Sequence, residues 1–382
     1  MQPDVLRAGP RGRRLCLELA GTLDDGIRES IFWRADEREE SSGTAMLTFS
    51  RGGRRLHHLL RLLYRLPGGR AIMRWRANAA VAAMSAEAPS LTELAGLLES
   101  VPLPAGGPDP DALHAALVAA VGSAMYWQPP DGTDVLAAEP QLRAGLHRIA
   151  AWAAPAAPAW WTAPAPGEQH TLGWWGHDPR EASTPIGEWR AGTLAAEEEA
   201  RREYPAEVTA PYSGTWWSFP DGVAGCREVD GAPAGLDLEE DIGGTEDVTV
   251  HELRLPTGAR ILEVDSPRVW AELCRAHPLE VTASRRHDWY RVTGRDGRWV
   301  IPDWAAVAGE WDGVHLTVAA YLAGATRALD VDESTASLIA GWTPDYTRWL
   351  TGPTGGPEIG PPVTWRWSED GGYRPDGRPM PT

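Results

Sequence analysis

The chain has 382 residues, 43% hydrophobic and 23% charged, a composition that suits a globular protein with a substantial core. It contains no lysine: all 36 basic residues are arginine, and guanidinium is not deprotonated in a protein. That excludes PLP chemistry through a lysine aldimine, lysine aldolases, P-loop nucleotide binding and protein-kinase catalysis, while a net charge of −17 argues against nucleic acid as a partner.

The charge is uneven along the chain. Residues 1–76 hold 15 arginines against 9 acids, and this basic head reads as a solvated helix face or a surface for an anionic partner. Within it, Arg14 to Leu19 and Thr44 to Phe49 alternate apolar and polar residues, which predicts two half-buried strands. Arg54 to Leu66 is amphipathic with Leu56, Leu59, Leu60 and Leu63 on one side, and it stops at Pro67-Gly68-Gly69. Ala71 to Ala86 fits a strand or a helix. Residues 1–88 are thus expected to form an α+β segment.

Residues 89–153 read as helical. Ser90 with Glu93 makes a capping box for Leu91 to Leu98. Asp109 caps a helix that starts at Pro110 and runs to about Trp127. A third helix covers Thr133 to Trp152, with Pro140 as an internal start or kink. Residues 154–350 read as a mainly β domain, and 17 of the 20 tryptophans lie beyond residue 150. Its strands are Val248 to Leu255, Arg260 to Val264, Arg298 to Ile301 and Val314 to Val318. Two helices interrupt them: Pro267 to Ala276 after a Ser266 cap, and Trp304 to Ala308 after Asp303. Residues 351–382 are rich in Pro and Gly and read as an extended tail, so the fold class is α+β.

No apolar run approaches the roughly 18 residues of a membrane span, and the N-terminus lacks the pattern of a secretion signal. Cys16, Cys226 and Cys274 are far apart with no CxxC, as expected of reduced thiols in the cytoplasm. There is no GxSxG, HExxH, strand-borne GxGxxG or Cys/His quartet, so no metal is expected.

Four clusters carry chemistry. Ser284 to Tyr290 combines Arg285 and Arg286, able to clamp a phosphate or carboxylate, with His287 as acid/base and Tyr290 in an aromatic wall. Its alternative is an exposed charged loop. Tyr212 to Ser218, read as a strand, puts Thr215 and Trp217 on one face and Trp216 and Ser218 on the other, a wall for nicotinamide or adenine. Its alternative is a packed core strand. His315 shares a strand face with Thr317, as an acid/base or a hydrogen-bonded core histidine. The fourth is His251-Glu252-Leu253-Arg254-Leu255-Pro256-Thr257-Gly258, a carboxylate in an alternating strand that ends in Pro-x-Gly.

That last segment resembles the glutamate segment of the ADP-ribosyltransferase superfamily, in which a strand bearing serine or threonine precedes the glutamate by a few tens of residues. Ser218 lies 34 residues before Glu252. The resemblance spans about 50 residues. It implies NAD as substrate, Glu252 as the carboxylate that steadies the ribose cation, and Ser213, Thr215 or Ser218 in support. His170 is a candidate for the family's first-strand residue, and Val250 stands where the family has glutamine or glutamate. The chain is also similar to tryptophan-rich proteins of high-GC bacteria.

The resulting expectation is a pocket walled by tryptophan. Glu252, His287 and His315 are its catalytic candidates. Ser213, Thr215, Trp216, Ser218, Arg285, Arg286 and Tyr290 are those for NAD or a nucleotide, with a small molecule or protein as acceptor. The alternatives are a non-catalytic interaction module, since Trp and Arg dominate hot spots, and a cofactor-independent tailoring enzyme using His/Asp acid–base chemistry.

Overall fold

A computed structural model of the chain describes residues 1–42, 89–174, 176–181, 184–240, 247–351, 355–368 and 372–376. The expected strand at Thr44 to Phe49, the amphipathic stretch at Arg54 to Leu66 and the segment Ala71 to Ala86 lie outside the described residues.

Helices dominate the first half: α1 (Pro3–Ala8), α2 (Pro10–Ala20), α3 (Asp25–Ser42), α4 (Leu91–Ser100), α5 (Pro110–Gly122), α6 (Gly132–Ala137) and α7 (Arg143–Ala153). The caps read from sequence are present. Ser90 and Glu93 form the reciprocal box on α4, and the Asp109 carboxylate accepts from Asp111 N and Ala112 N on α5. Helix α5 stops at Gly122 rather than near Trp127. The stretch from 132 to 153 breaks at Pro140, which opens a short 3-10 turn between α6 and α7.

The strand expected at Arg14 to Leu19 is instead the body of α2. The reason is position. Helix α2 packs against α1, α5, α6, α7 and Val318–Gly324, so Arg14, Leu15, Cys16, Leu17, Leu19 and Ala20 are all buried. A helix covered on every side loses its one-sided period, and the short window of alternation then mimics a strand. Gly12 permits the tight α1 crossing: a Cβ there would lie 2.6 Å from the Leu6 carbonyl oxygen.

The remaining helices are α8 (Ile186–Glu203), α9 (Pro267–Ala276), α10 (Thr282–Thr293), α11 (Trp304–Val307) and α12 (Val318–Gly324). Asp303 caps α11 as expected, whereas Ser266 holds the cap position of α9 without a side-chain bond. Strands run β1 (Gln169–Gly173), β2 (Ala224–Gly225), β3 (Glu228–Val229), β4 (Ala232–Pro233), β5 (Asp247–Arg254), β6 (Ile261–Val264), β7 (Pro278–Glu280), β8 (Arg298–Pro302), β9 (Gly313–Leu316), β10 (Leu329–Asp330), β11 (Thr335–Ser337), β12 (Thr347–Trp349), β13 (Glu358–Ile359), β14 (Val363–Ser368) and β15 (Gly372–Pro375). The fold is therefore α+β, with its aromatic cluster in the C-terminal part.

Three sheets carry the function-relevant residues. The first has order β1-β5-β14-β15, with β13 also on β5, and is antiparallel. The second, β2-β12-β9-β6, has a parallel β6/β9 pair. The third is β10-β11-β8-β7. An isolated bridge from His170 to Cys226 ties the first sheet to the second. Asp230 and Gly231, with φ of 52° and 81°, make the two-residue turn between β3 and β4 that right-handed twist favours. The segment after residue 350 is not simply a tail: β13 and β14 pair with β5 and β15 pairs with β14, and Trp365 opposite Val248 is buried.

One apolar core runs from Leu6 on α1 through the Trp270, Trp304 and Trp342 rings to Tyr373 on β15, so it crosses every segment boundary read from the sequence. A smaller cluster surrounds Trp289 and Trp299.

Candidate functional site

Two of the sequence clusters meet in space. Tyr212 to Ser218 is not a strand; its polar groups are held by α10 and by residue 340 instead of a strand ladder. The Ser213 hydroxyl and the Gly214 N–H both donate to Asp288, each at 2.8 Å. Trp289 Nε1 donates to the Trp216 carbonyl at 2.8 Å. Nor is Ser284 to Tyr290 a loop: it is the body of α10, with Arg285, His287, Asp288 and Trp289 buried.

The meeting does not leave an open anion clamp. Arg285 donates to the Trp217 carbonyl at 3.2 Å and to the Ser284 hydroxyl at 2.7 Å. Burial, chiefly, lowers its guanidinium to about 10. Arg286 donates to the carbonyls of Tyr204 and Pro205. Ser218 is buried, and its hydroxyl bonds the Ala340 backbone in both directions. His287 packs on Tyr212 with ring centroids 5.3 Å apart, and its Nε2 has no partner among the described residues. Burial and then Arg286 push its imidazole below the ordinary value, so it sits neutral at pH 7. Thr215 is exposed, and Trp216 and Tyr290 are half-buried.

The other two candidates lie elsewhere. Glu252 is exposed on β5, opposite His170 of β1. It continues the strand face on which Val248 and Val250 are buried, past the point where the core ends. His315 sits on β9 with no exposed surface, between two carboxylates: Nδ1 is 2.7 Å from Glu263 Oε2 and Nε2 is 3.3 Å from Asp345 Oδ1. Arg227 Nε donates to the same Asp345 oxygen at 2.6 Å. Burial works against the charged ring, but the hydrogen bonds and charges of Asp345 and Glu263 outweigh it and raise the imidazole above its ordinary value. With both nitrogens held by carboxylates, the ring has no lone pair for a substrate proton. Arg227 and His315 thus share Asp345, and His315 is held in the core with neither ring nitrogen free to reach a substrate.

A further carboxylate pair is Glu239 and Glu240. Glu240 accepts from the phenols of Tyr126 and Tyr321 at 2.6 and 2.8 Å. Burial raises Glu239 to about 8 and Glu240 to about 7. In the sequence both belong to an acidic run, which reads as solvated loop.

Two neighbouring hollows lie beside the N-terminal helices. The first, about 350 Å³, lies between α1, α2 and α7 and gathers Arg7, Arg13, Arg143 and His147. Its one lining carboxylate, Glu139, is already held by Arg38. Arg7 pairs with Asp4 at the rim. Arg143 is exposed and has no carboxylate partner among the described residues. The Arg13 Nε is buried and unbonded among them. Burial first, then the guanidiniums of Arg327, Arg11 and Arg143, push Arg13 below its ordinary value. His147 is lowered in the same way, by burial and then by Arg7 and Arg143. Both depressions combine burial, the larger cause, with positive charge gathered around the hollow.

The basic head is thus only partly a solvated face. Arg11 and Arg14 are buried, Arg11 against Asp134 and Arg14 within 2.8 Å of Asp131 and 3.1 Å of Asp134.

No family model, curated protein or solved structure matches the chain. Among the described residues, no group of three or more His, Cys, Asp or Glu could hold a metal ion, and no helix is long and apolar enough to cross a membrane.

Proposed function

We propose that the chain binds an anionic small molecule in the hollow between α1, α2 and α7. The observation that carries this reading is the convergence of Arg7, Arg13, Arg143 and His147 around a space of about 350 Å³ whose lining carboxylate is already paired. Guanidiniums hold phosphate and carboxylate oxygens by paired, charge-assisted bonds. A nucleotide or NAD, with its pyrophosphate, belongs to the class such a site accepts.

The test is calorimetric titration with inorganic phosphate, ADP and NAD at low salt. Binding is expected, weakening as salt rises. Arg143→Ala should weaken it about 10- to 100-fold, the worth of one hydrogen bond to a charged group. Because Arg143 is exposed, the melting temperature of the free protein should stay put. No binding by any of the three, or binding indifferent to Arg143, would remove the reading.

A second reading keeps ADP-ribosyl transfer. What supports it is the cross-strand pair of His170 and Glu252, which puts both side chains on one face of the first sheet with Glu252 open to solvent. Incubation with NAD should then release nicotinamide, and Glu252→Gln should abolish the release. Turnover equal in both proteins would sink this reading and leave the first untouched.

A further inference from the structure

We infer that the ligand is amphiphilic: its anionic head enters the arginine-lined hollow and an apolar body lies in a second hollow beside it. The inference rests on the anion-binding reading and names the class of molecule that site takes.

The second hollow has about the same size, some 360 Å³, and shares Arg13 and Ala138 with the first as a common wall. Its character differs. Met125, Pro129, Pro130, Val135, Val292 and Ala328 supply apolar surface. Val135 is 39% exposed there, on a short helix whose Leu136 and Ala137 are buried. The two carboxylates that also line it are already neutralised, Asp134 by Arg11 and Asp131 by Arg14. The Arg11 guanidinium is fully engaged as well, reaching Thr326, the Ala120 carbonyl and Ser123 at 2.9 to 3.1 Å. So this hollow offers a ligand mainly apolar wall, beside the Arg13 and Arg327 guanidiniums, whose Nε atoms are unbonded among the described residues, while its neighbour is lined mainly by charge. A purely ionic ligand would leave the second hollow wet. A purely apolar one would leave Arg13 and Arg143 without counter-charge. A phosphate or carboxylate carrying an aliphatic or similar apolar group satisfies both.

The test is titration of the full chain with inorganic phosphate and with methyl, butyl and hexyl phosphate. Affinity should rise with chain length, by up to about fourfold per methylene that enters the hollow. Ala328→Trp, which fills the second hollow, and Val135→Gln, which makes its wall polar, should flatten that rise. Both should leave the affinity for inorganic phosphate within about twofold, which also shows that the variants fold. Phosphate binding with no chain-length dependence would overturn the inference and leave the anion site standing. A chain-length rise that survives both variants would place the apolar group elsewhere and overturn it too. Failure of every phosphate to bind would remove the anion reading and this inference together.

Discussion

Asp345→Asn is expected to cost about 3–5 kcal/mol of folding stability, the penalty for leaving buried charge uncompensated. Asp345 is completely buried and faces two cations. Its Oδ1 accepts from Arg227 Nε at 2.6 Å and lies 3.3 Å from His315 Nε2, and its Oδ2 accepts from the Arg227 N–H at 3.2 Å. Its φ of 64° is left-handed, a conformation that Asn tolerates nearly as well as Asp. The amide therefore removes charge without disturbing the backbone, whereas Asp345→Ala adds backbone strain of about 1 kcal/mol or more. Urea denaturation midpoints measure both. A change below about 1 kcal/mol in the Asn variant would mean that the ion cluster contributes little.

The same cluster sets a pH dependence. The His315 pKa is raised in the fold. Its contribution is thus complete below the ordinary imidazole value of about 6.5 and is lost as pH rises through the higher folded value. Glu239 and Glu240, raised to about 8 and about 7, act with the same sign. Their neutral forms are favoured in the fold, so ionising them on the way up costs stability. Stability should fall from about pH 4.5, where the glutamates ionise in the unfolded chain, to about pH 8, with the histidine steepening the fall above about 6.5, and Asp345→Asn should reduce the histidine part of that slope while the glutamate part persists. A wild-type profile that is flat across this interval would contradict both assignments.

What the sequence disclosed follows from how local each signal is. The Ser90–Glu93 box and the Asp109 cap are decided by residues three apart, and both are present. The alternation of β5 and β9 is likewise local. Thr317 shows where locality ends: the alternation places it on a strand face with His315, but its hydroxyl accepts from Ala320 N and caps α12. Burial of α2 from every side comes from helices up to 300 residues away in sequence, so no window around Arg14 could reveal it. The joining of β13 and β14 to β5 is equally remote, and Pro/Gly content hid it. The two aromatic and charged clusters turn their hydrogen bonds inward: Asp288, Arg285 and Trp289 hold the 213–218 segment in place. The arginine hollow was invisible for the opposite reason. Arg7, Arg13, Arg143 and His147 come from three helices, and in sequence they share nothing but composition.

The tryptophans supply the sharpest contrast between an interior role and a pocket wall. Trp342→Ala is expected to cost about 3–5 kcal/mol, as for other large aromatic truncations in a core. Its ring has no exposed surface. It meets Trp270 and Trp304 at 5.8 Å between centroids and Phe219 at 5.7 Å, the first two edge-to-face. Its Nε1 donates to the Tyr346 carbonyl at 3.3 Å, next to the Asp345 cluster. Removing the ring opens a void between α9, α11 and the segment that leads to β12, and rigid neighbours cannot close it. Trp217 is the control. It is 44% exposed and stacks on Trp216 at 3.9 Å. Trp217→Ala should cost only the stacking and a partial burial, about 0.5–1.5 kcal/mol. Chemical denaturation of the two variants, alongside titration with phosphate, separates the roles. If Trp342→Ala kept wild-type stability and lost ligand binding, the indoles would be lining a site rather than filling the core.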